Sequence, residues 1–240
     1  MKNKSEQIID WLTNIYGDKQ ALIAVSGGVD SAVALTLLTR ALGRDRVTPV
    51  CLPYGDQDMN DAKTIIEWNG LSQKMIEINI SKMVDTISDQ LSVESEQRKG
   101  NVMARVRMIV VFDLAKKLGA LVCGTENKSE HYLGYFTRFG DSASDVEPIA
   151  GLYKTEVWAM AKELGLPEIF YTKAPSAGLW EGQTDEGEMG FSYKQADKVL
   201  MGEIEGVDKE VIEKVQKMVE KNKFKLEVPY VLGEIDVSAV

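Results

Sequence analysis

Short apolar runs alternate with longer amphipathic stretches through the first two thirds of the chain. The continuous apolar runs predict buried strands at residues 21–25, 47–52, 74–78 and 120–124. Apolar residues three or four positions apart predict a helix before the first strand. The same spacing predicts four helices between the strands, at residues 31–42, 61–69, 81–91 and 101–118. Strands joined by helices pair in parallel through right-handed crossovers. The pattern therefore predicts an α/β fold with a doubly wound parallel sheet flanked by helices.

Two local features qualify this pattern. Pro49 lies inside the second predicted strand, and because proline lacks a backbone N–H, it indicates an edge strand or a bend there. The polar run at residues 93–99 predicts a loop ahead of the long helix at 101–118.

The last third of the chain has a different pattern. Amphipathic stretches predict helices at residues 154–164, 192–201 and 209–221, which gives a helical C-terminal part. Residues 171–190 are rich in glycine and proline and predict a long loop or lid, and the tail at residues 223–240 has no clear period. We expect residues 1–240 to form a single domain.

Charge and cysteine content exclude several classes of function. The 240 residues contain 28 Lys+Arg and 37 Asp+Glu, a net charge of −9, which disfavours generic binding to nucleic acid or anionic membrane. Two cysteines and one histidine exclude a disulfide framework, a four-thiolate zinc site and a His-rich metal cluster. The chain shows neither a signal peptide nor an apolar run of ~18 residues, so we expect a cytoplasmic protein.

The strongest chemical signal is the loop Ser26-Gly27-Gly28-Val29-Asp30-Ser31, which follows the first predicted strand and opens a helix. Glycines allow a ligand to approach the backbone closely, and a helix N-terminus attracts anions. Asp30 adds a carboxylate, a ligand that Mg²⁺ prefers. A glycine-rich turn with an Asp or Ser cap is the alternative. The loop lacks the Walker lysine and the G-x-G-x-x-G pattern of dinucleotide-binding proteins.

This loop resembles the SGGxDS loop of the N-type ATP pyrophosphatases. The resemblance implies ATP as co-substrate, cleaved between its α- and β-phosphates, and contacts to ATP from Ala24, Val25, Ser26, Gly27, Gly28, Val29, Asp30 and Ser31. The loop alone leaves several families open.

Further motifs narrow the choice. The segment from Gly100 to Met108 matches G-N-x-x-A-R-x-R-M of the NAD synthetases, and Gly124-Thr125 with Glu130 and the stretch from Gly134 to Asp145 are similar to their next conserved segment. Leu152-Tyr153-Lys154 matches their L-x-K. The resemblance runs from about residue 21 to residue 193 and identifies the chain as similar to ammonia-dependent NAD synthetases of adenine nucleotide alpha-hydrolase-like fold.

The resemblance implies ATP-dependent amidation of deamido-NAD by free ammonia, through an adenylated carboxylate, with release of AMP and pyrophosphate. It implies Mg²⁺ as cofactor, held by Asp30 and Glu130, and a homodimer. By the same resemblance Asp30, Lys154 and Asp141 are the candidate catalytic residues, and Asp145 is a second candidate to take up a proton from ammonium. Thr125, Lys154 and Ser176 would contact ATP. The candidate residues for binding deamido-NAD are Asn101, Arg105, Arg138, Asp145, Phe224 and Lys225.

The chain departs from the family pattern at several positions: Cys51, Gln97, Glu126, Gly178 and Leu226. Other functions stay open. One is a different pyrophosphatase with this loop, acting on tRNA or a nucleobase, although the acidic charge opposes a tRNA substrate. The other is a non-catalytic adenine-nucleotide sensor, which the presence of both Asp30 and Glu130 opposes.

Overall fold

A computed structural model describes residues 3–175, 182 and 184–226. Its centre is a parallel sheet of four strands: β1 (Gln20–Ala24), β2 (Val47–Cys51), β3 (Ile76–Glu77) and β4 (Ala120–Cys123). The strand order is β3-β2-β1-β4, so β1 lies between β2 and β4. All pairings are parallel, with Ala21 beside Val47 on one side and beside Leu121 on the other. The predicted parallel α/β sheet is confirmed.

The helices in chain order are α1 (Lys4–Tyr16), α2 (Val29–Leu42), α3 (Asn60–Trp68), α4 (Ser81–Gln90), α5 (Glu96–Leu118), α6 (Lys128–Leu133), α7 (Lys154–Glu163), α8 (Ile169–Thr172), α9 (Asp185–Met189), α10 (Tyr193–Met201) and α11 (Lys209–Asn222). Single 3₁₀ turns lie at Arg44–Arg46, Ser72–Lys74 and Lys223–Lys225. No helix in the described ranges is long and apolar enough to cross a membrane.

Helices cover both faces of the sheet because its strands alternate their side chains between two cores. Ile23 and Cys123 face a core that contains residues of α1, α2, α3 and α7. Leu22 and Val122 face a second core formed with α4 and α5. A third apolar cluster joins α6, α10 and α11 through Leu133, Tyr193 and Val215, and Trp158 of α7 packs against it.

Pro49 does not mark an edge strand, because β2 is an interior strand of the sheet. The edge-strand interpretation is therefore wrong. Pro49 pairs with Ile23 of β1, whereas the short β3 reaches only Val50 and Cys51. Val25 N donates to Val50 O, so Val50 faces β1 and the neighbouring Pro49 nitrogen faces the β3 side, where the ladder has not begun. The missing N–H therefore costs no sheet hydrogen bond.

Two loop predictions are also corrected. Helix α5 begins at Glu96, within the polar run at residues 93–99, because the Ser95 side chain caps it by accepting a hydrogen bond from Arg98 N. The segment at residues 171–190 includes the end of α8 and all of α9, which Thr184 caps by accepting from Gly187 N. Residues 176–181 and 183 of this predicted lid, and 227–240 of the tail, lie outside the described residues.

Candidate active site

The glycine-rich loop connects the carboxyl end of β1 to the first turn of α2. Gly27 has φ +88°, and a Cβ there would lie 2.8 Å from Ala62 N, so this position requires glycine. Gly28 is the N-cap of α2 and offers no side chain to the first-turn amides, which leaves N–H groups at this helix end for a ligand. The Ser26 and Ser31 hydroxyl oxygens lie 3.2 Å apart beside it. The loop therefore has the geometry of a phosphate-binding turn.

Three charged side chains from distant parts of the sequence meet next to this loop. Lys154 Nζ lies 2.5 Å from Asp30 Oδ2 and 2.9 Å from Glu130 Oε1. The Lys154 side chain is only 3% exposed, and the two carboxylates are 15% and 18% exposed. A buried ammonium between two carboxylates brings the predicted metal ligands and the predicted cation into one cluster.

Helix N-termini position this cluster. Asp30 lies in the first turn of α2, Glu130 in that of α6, and Lys154 is the first residue of α7. Asn127 caps α6 by accepting from Glu130 N at 3.0 Å, and its Nδ2 donates to Asp30 Oδ1 at 2.9 Å. The positive ends of two helix dipoles therefore lie beside the two carboxylates, which favours their negative charge.

Burial opposes the charge of Lys154 and of Glu130. For Lys154 burial disfavours the ammonium, but the adjacent carboxylates of Asp30 and Glu130 outweigh it and raise the pKa of Lys154. Burial raises the pKa of Glu130 to about 8, and the nearby Asp30 adds to this rise while Lys154 opposes it. A cation bound beside Asp30 and Glu130 would favour the charged form of Glu130 and oppose this rise.

The oxygen donors fit Mg²⁺, which binds proteins through one or two carboxylates and takes its other ligands from phosphates and water. Asp30 and Glu130 supply two such carboxylates beside the phosphate-binding turn. Within residues 3–175, 182 and 184–226, His, Cys, Asp and Glu form no group of three or more that would bind a metal by itself. This donor set matches a metal shared with a bound nucleotide.

A second group of predicted residues meets around the loop after α6. Arg105 donates to Arg138 O at 3.2 Å, and Asn101 Oδ1 accepts from Thr137 Oγ1 at 2.8 Å. The Arg138 guanidinium stacks on the Phe224 ring, 5.4 Å from its centroid. Lys225 Nζ donates to Phe136 O at 2.8 Å and to Gly134 O at 2.5 Å. Five of the six residues predicted to bind deamido-NAD, namely Asn101, Arg105, Arg138, Phe224 and Lys225, therefore line one region.

The remaining candidates differ in their positions, and Asp141 adjoins the second group through Thr137. Asp145 contacts β4, where its Oδ2 accepts from Val122 N at 2.8 Å. Asp141 is exposed, and its Oδ1 accepts from Thr137 N at 2.8 Å. Thr125 lies two residues after the end of β4, at the same end of the sheet as the glycine-rich loop. Ser176 lies outside the described residues.

At Cys51 the sequence departs from the family's arginine. Cys51 is fully buried at the end of β2, and its Sγ lies 3.9 Å from Met75 Sδ. A cation nevertheless reaches this strand end from α5, because Arg107 Nε donates to Leu52 O at 3.1 Å and its terminal nitrogen donates to Gln57 Oε1 at 3.0 Å. Arg107 is therefore not a solvated helix-face residue.

Comparison with known proteins decides the family. A family profile described as NAD synthase matches residues 2–229. The chain belongs to the NAD synthase family. This membership makes it a ligase and confirms the resemblance found in the sequence.

Relatives in this family match most of the chain. The NH(3)-dependent NAD(+) synthetase of Pyrococcus furiosus is 44% identical over 222 residues, which cover 87% of this chain and 86% of the relative. The enzyme of the same name from Pyrococcus horikoshii is 41% identical over 238 residues and covers 93% and 91%. Among solved structures, an NMN synthetase from Francisella tularensis superposes with a TM-score of 0.87 at 32% identity and covers 96% of this chain and 98% of that one. An NH3-dependent NAD synthetase from Campylobacter jejuni gives 0.81 at 29%, covering 96% and 98%.

The candidate site includes residues that the sequence analysis missed. Asn127 holds Asp30 directly, and the Asn127-x-x-Glu130 spacing of a capping box was the signal that would have revealed it. Tyr193 places its ring 4.9 Å from Lys154 Nζ and donates from its hydroxyl to Asp185 Oδ2 at 3.1 Å. No sequence signal separates Tyr193 from an ordinary core aromatic.

Proposed function

We propose that this chain joins ammonia to the nicotinate carboxyl group of deamido-NAD and uses ATP to activate that carboxyl group. One observation carries this proposal: within a chain of the NAD synthase family, Asp30, Glu130 and Lys154 meet beside the glycine-rich turn. A sensor that only binds nucleotide does not need a buried cation between two metal-binding carboxylates.

In the first step an oxygen of the substrate carboxylate attacks the α-phosphorus of ATP. The bond from that phosphorus to the β-phosphate oxygen breaks, so pyrophosphate leaves and an acyl adenylate forms. The uncapped amides in the first turn of α2 would donate to phosphate oxygens, and the Ser26 hydroxyl beside Ser31 would add a donor. Mg²⁺ held by Asp30 and Glu130 would neutralise phosphate charge.

Lys154 stabilises the charge that builds up at the α-phosphate. An ammonium has three N–H donors, and here two of them are directed at Asp30 and Glu130. We propose that the third meets an α-phosphate oxygen in the transition state. A fixed charge in a water-poor site stabilises such a transition state strongly, because no solvent has to reorganise around it.

In the second step the nitrogen of ammonia attacks the acyl carbon and AMP leaves. The nitrogen loses a proton, and Asp141 is the proposed acceptor because it is exposed and lies in the same loop as Arg138. Arg138 and Arg105 would pair with the phosphates or the carboxylate of the dinucleotide, supported by the stacking of Arg138 on Phe224. Asp145 and Thr125 remain proposed contacts to deamido-NAD and ATP, as does Ser176.

The direct test mixes the protein with ATP, Mg²⁺, ammonium and deamido-NAD. We expect NAD, AMP and pyrophosphate in equal amounts. ADP and orthophosphate in their place would overturn the proposed reaction, and hydrolysis of ATP without any NAD would overturn the proposed substrate.

The similarity to an NMN synthetase names one competing substrate, the mononucleotide acid. The same assay with nicotinate mononucleotide decides between the two. We expect a higher kcat/KM with the dinucleotide, and a higher value with the mononucleotide would reassign the substrate.

We also propose a homodimer in the cytoplasm. Support for the dimer comes from apolar side chains on α5 that face solvent in the single chain, Ile109 at 63% and Phe112 at 38% exposed, on the same helix as Arg105. Two buried free thiols, Cys51 and Cys123, suit a reducing compartment. Light scattering of the purified protein tests the dimer, for which we expect twice the chain mass.

A further inference from the structure

A buried carboxylate on α10, Asp197, lies behind the cluster of Lys154 and Glu130. Asp197 is 2% exposed. Its Oδ1 accepts a short hydrogen bond from Ser129 Oγ. Its Oδ2 accepts from Thr155 N at 2.9 Å and from Thr155 Oγ1 at 2.7 Å. Both oxygens of Asp197 are therefore directed at the first turns of two other helices.

Those two helix turns carry the proposed site residues. Ser129 precedes Glu130 in α6, and Thr155 follows Lys154 in α7. Ser129 Oγ also accepts from Lys154 N at 2.8 Å. One carboxylate thus joins the Ser129 side chain of α6 to the first turn of α7, next to the residues whose side chains form the cluster. It accepts from Thr155 N, an N–H group that a helix N-terminus otherwise leaves without a partner, and Ser129 does the same for Lys154 N.

A carboxylate at this place is costly for folding alone. A buried ion requires several charge-assisted hydrogen bonds to offset its desolvation, and apolar replacement of such groups is often neutral or stabilising. Among the described residues, Asp197 receives those hydrogen bonds from the two turns that carry Glu130 and Lys154. Its position is therefore explained better by a role in aligning the site residues than by a role in packing the core.

Helix α10 also contacts Lys154 through its first residue, one turn before Asp197. The Tyr193 ring lies 4.9 Å from Lys154 Nζ, so α10 contacts the ammonium through Tyr193 and the first turn of α7 through Asp197. We propose that Asp197 is a positioning residue for the amidation reaction, which aligns Lys154 and Glu130 by fixing the N-termini of α6 and α7. This inference rests on the proposed function.

The test compares Asp197→Asn with Ser192→Ala in the NAD-forming assay. Ser192 is the N-cap of α10 and accepts from Gln195 N at 3.3 Å, so its replacement weakens the same helix without touching α6 or α7. We expect Asp197→Asn to lower kcat about 10–100-fold, the usual effect of losing a partner that orients a site ligand. The KM for ATP and for deamido-NAD should stay near the wild-type values. Ser192→Ala should lower the melting temperature and leave kcat unchanged.

A second pair of variants covers the case in which Asp197→Asn does not fold. Thr155→Val removes only the hydroxyl hydrogen bond to Asp197, and Ser129→Ala removes the link between Asp197 and Lys154 N. Both should lower kcat in the same direction. The double variant Ser129→Ala with Thr155→Val should lose less than the product of the single effects, because both act through one network.

The outcomes separate the two proposals. If the wild-type protein forms NAD and Asp197→Asn has the same kcat as Ser192→Ala, the positioning role is overturned and the proposed function stays intact. A fall in kcat that parallels the loss of folded protein, in both α10 variants alike, would also overturn it. Absence of NAD formation by the wild-type protein would overturn the proposed function and this inference with it.

Discussion

Asn127 donates a hydrogen bond from its Nδ2 to Asp30 Oδ1 at 2.9 Å, and the same side chain caps α6. A helix cap at the end of β4 therefore holds a carboxylate at the end of β1, although the two residues are 97 positions apart in sequence. The cap and the orientation of Asp30 are two separable roles of one residue.

Asn127→Asp separates these roles. Aspartate caps a helix as well as asparagine does, so α6 should persist, but the amide donor is replaced by a carboxylate facing Asp30. We expect turnover to fall about 10–100-fold while the helical content is unchanged, as for other partners that orient metal-binding side chains. Asn3→Asp is the matched control, since Asn3 and Glu6 form the same capping box on α1 away from the site. Equal activity in both variants would contradict the role of Asn127.

Lys154→Ala tests the proposed phosphate contact. Removal of the buried ammonium should lower kcat about 100-fold or more, in the range found for lost electrostatic stabilisation of a transition state. Lys162→Ala serves as control, because Lys162 is exposed on the same helix α7 and stacks on Tyr171. Initial rates of pyrophosphate release measure both variants. A Lys154→Ala enzyme with the wild-type kcat would remove this lysine from the mechanism.

Gly27→Ala tests the phosphate-binding turn. At φ +88° the new Cβ would lie 2.8 Å from Ala62 N, so the loop must move and ATP should bind far more weakly. In Gly119→Ala the backbone is also left-handed, with φ +63°, but nothing lies within 4 Å of the Cβ position. That control should lose about 1–2 kcal/mol of stability and keep its KM for ATP. Titration of a non-hydrolysable ATP analogue, followed by calorimetry, distinguishes them.

Lys225→Ala addresses the second cluster of site residues. Lys225 Nζ holds the carbonyl groups of Gly134 and Phe136, so its loss should loosen the loop that carries Arg138. We expect the KM for deamido-NAD to rise about tenfold, in line with the loss of charge-assisted hydrogen bonds, while the KM for ATP is unchanged. Lys223→Ala, two residues away and exposed, should change neither. A rise in both KM values would point to a general loss of structure.

Glu147 gives stability a dependence on pH. Burial raises its pKa to about 7, although hydrogen bonds from Ser144 and from Glu126 N oppose the rise. The pKa of a glutamate in an unfolded chain is about 4.3, so between this pH and the folded pKa the folded protein keeps a proton that the unfolded chain has lost. The contribution of Glu147 is therefore complete below about pH 4.3 and declines as pH rises toward 7, by at most about 1.4 kcal/mol per pH unit.

The neighbouring His131 acts in the same direction. Its hydrogen bond with Glu126 raises the pKa of His131, so this contribution is also lost as pH rises through the folded value. Urea unfolding at pH 5, 6 and 7 gives the free energy of unfolding at each pH. Its fall with rising pH should be less steep in Glu147→Gln than in wild type. Glu213→Gln, which removes an exposed carboxylate on α11, should keep the wild-type slope. Identical slopes in all three proteins would contradict the raised pKa of Glu147.

The sheet and the glycine-rich loop were predictable because they depend on local patterns. Buried parallel strands are continuously apolar, and Gly27 with Gly28 marks a turn whatever surrounds it. The start of α5 was missed because the polar run has no apolar period, although Ser95 was a readable N-cap.

Asp197 was not predictable for a different reason. On an amphipathic helix an aspartate is normally solvated, and only the packing of α10 against α6 and α7 buries this one. Likewise, the contact of Lys154 with Asp30 joins residues 124 positions apart, and no local pattern reports such a distance.

The long separations within the site bear on how the protein acquires activity. Asp30, Glu130 and Lys154 come from three helices, and their meeting depends on the pairing of β1 with β4 and on the packing of α7 against α2. Contacts of such high sequence separation form late, since chain entropy must be lost before they are made. Regained turnover during refolding is thus a signal of completed topology, and a partly folded chain with native helix content would give none.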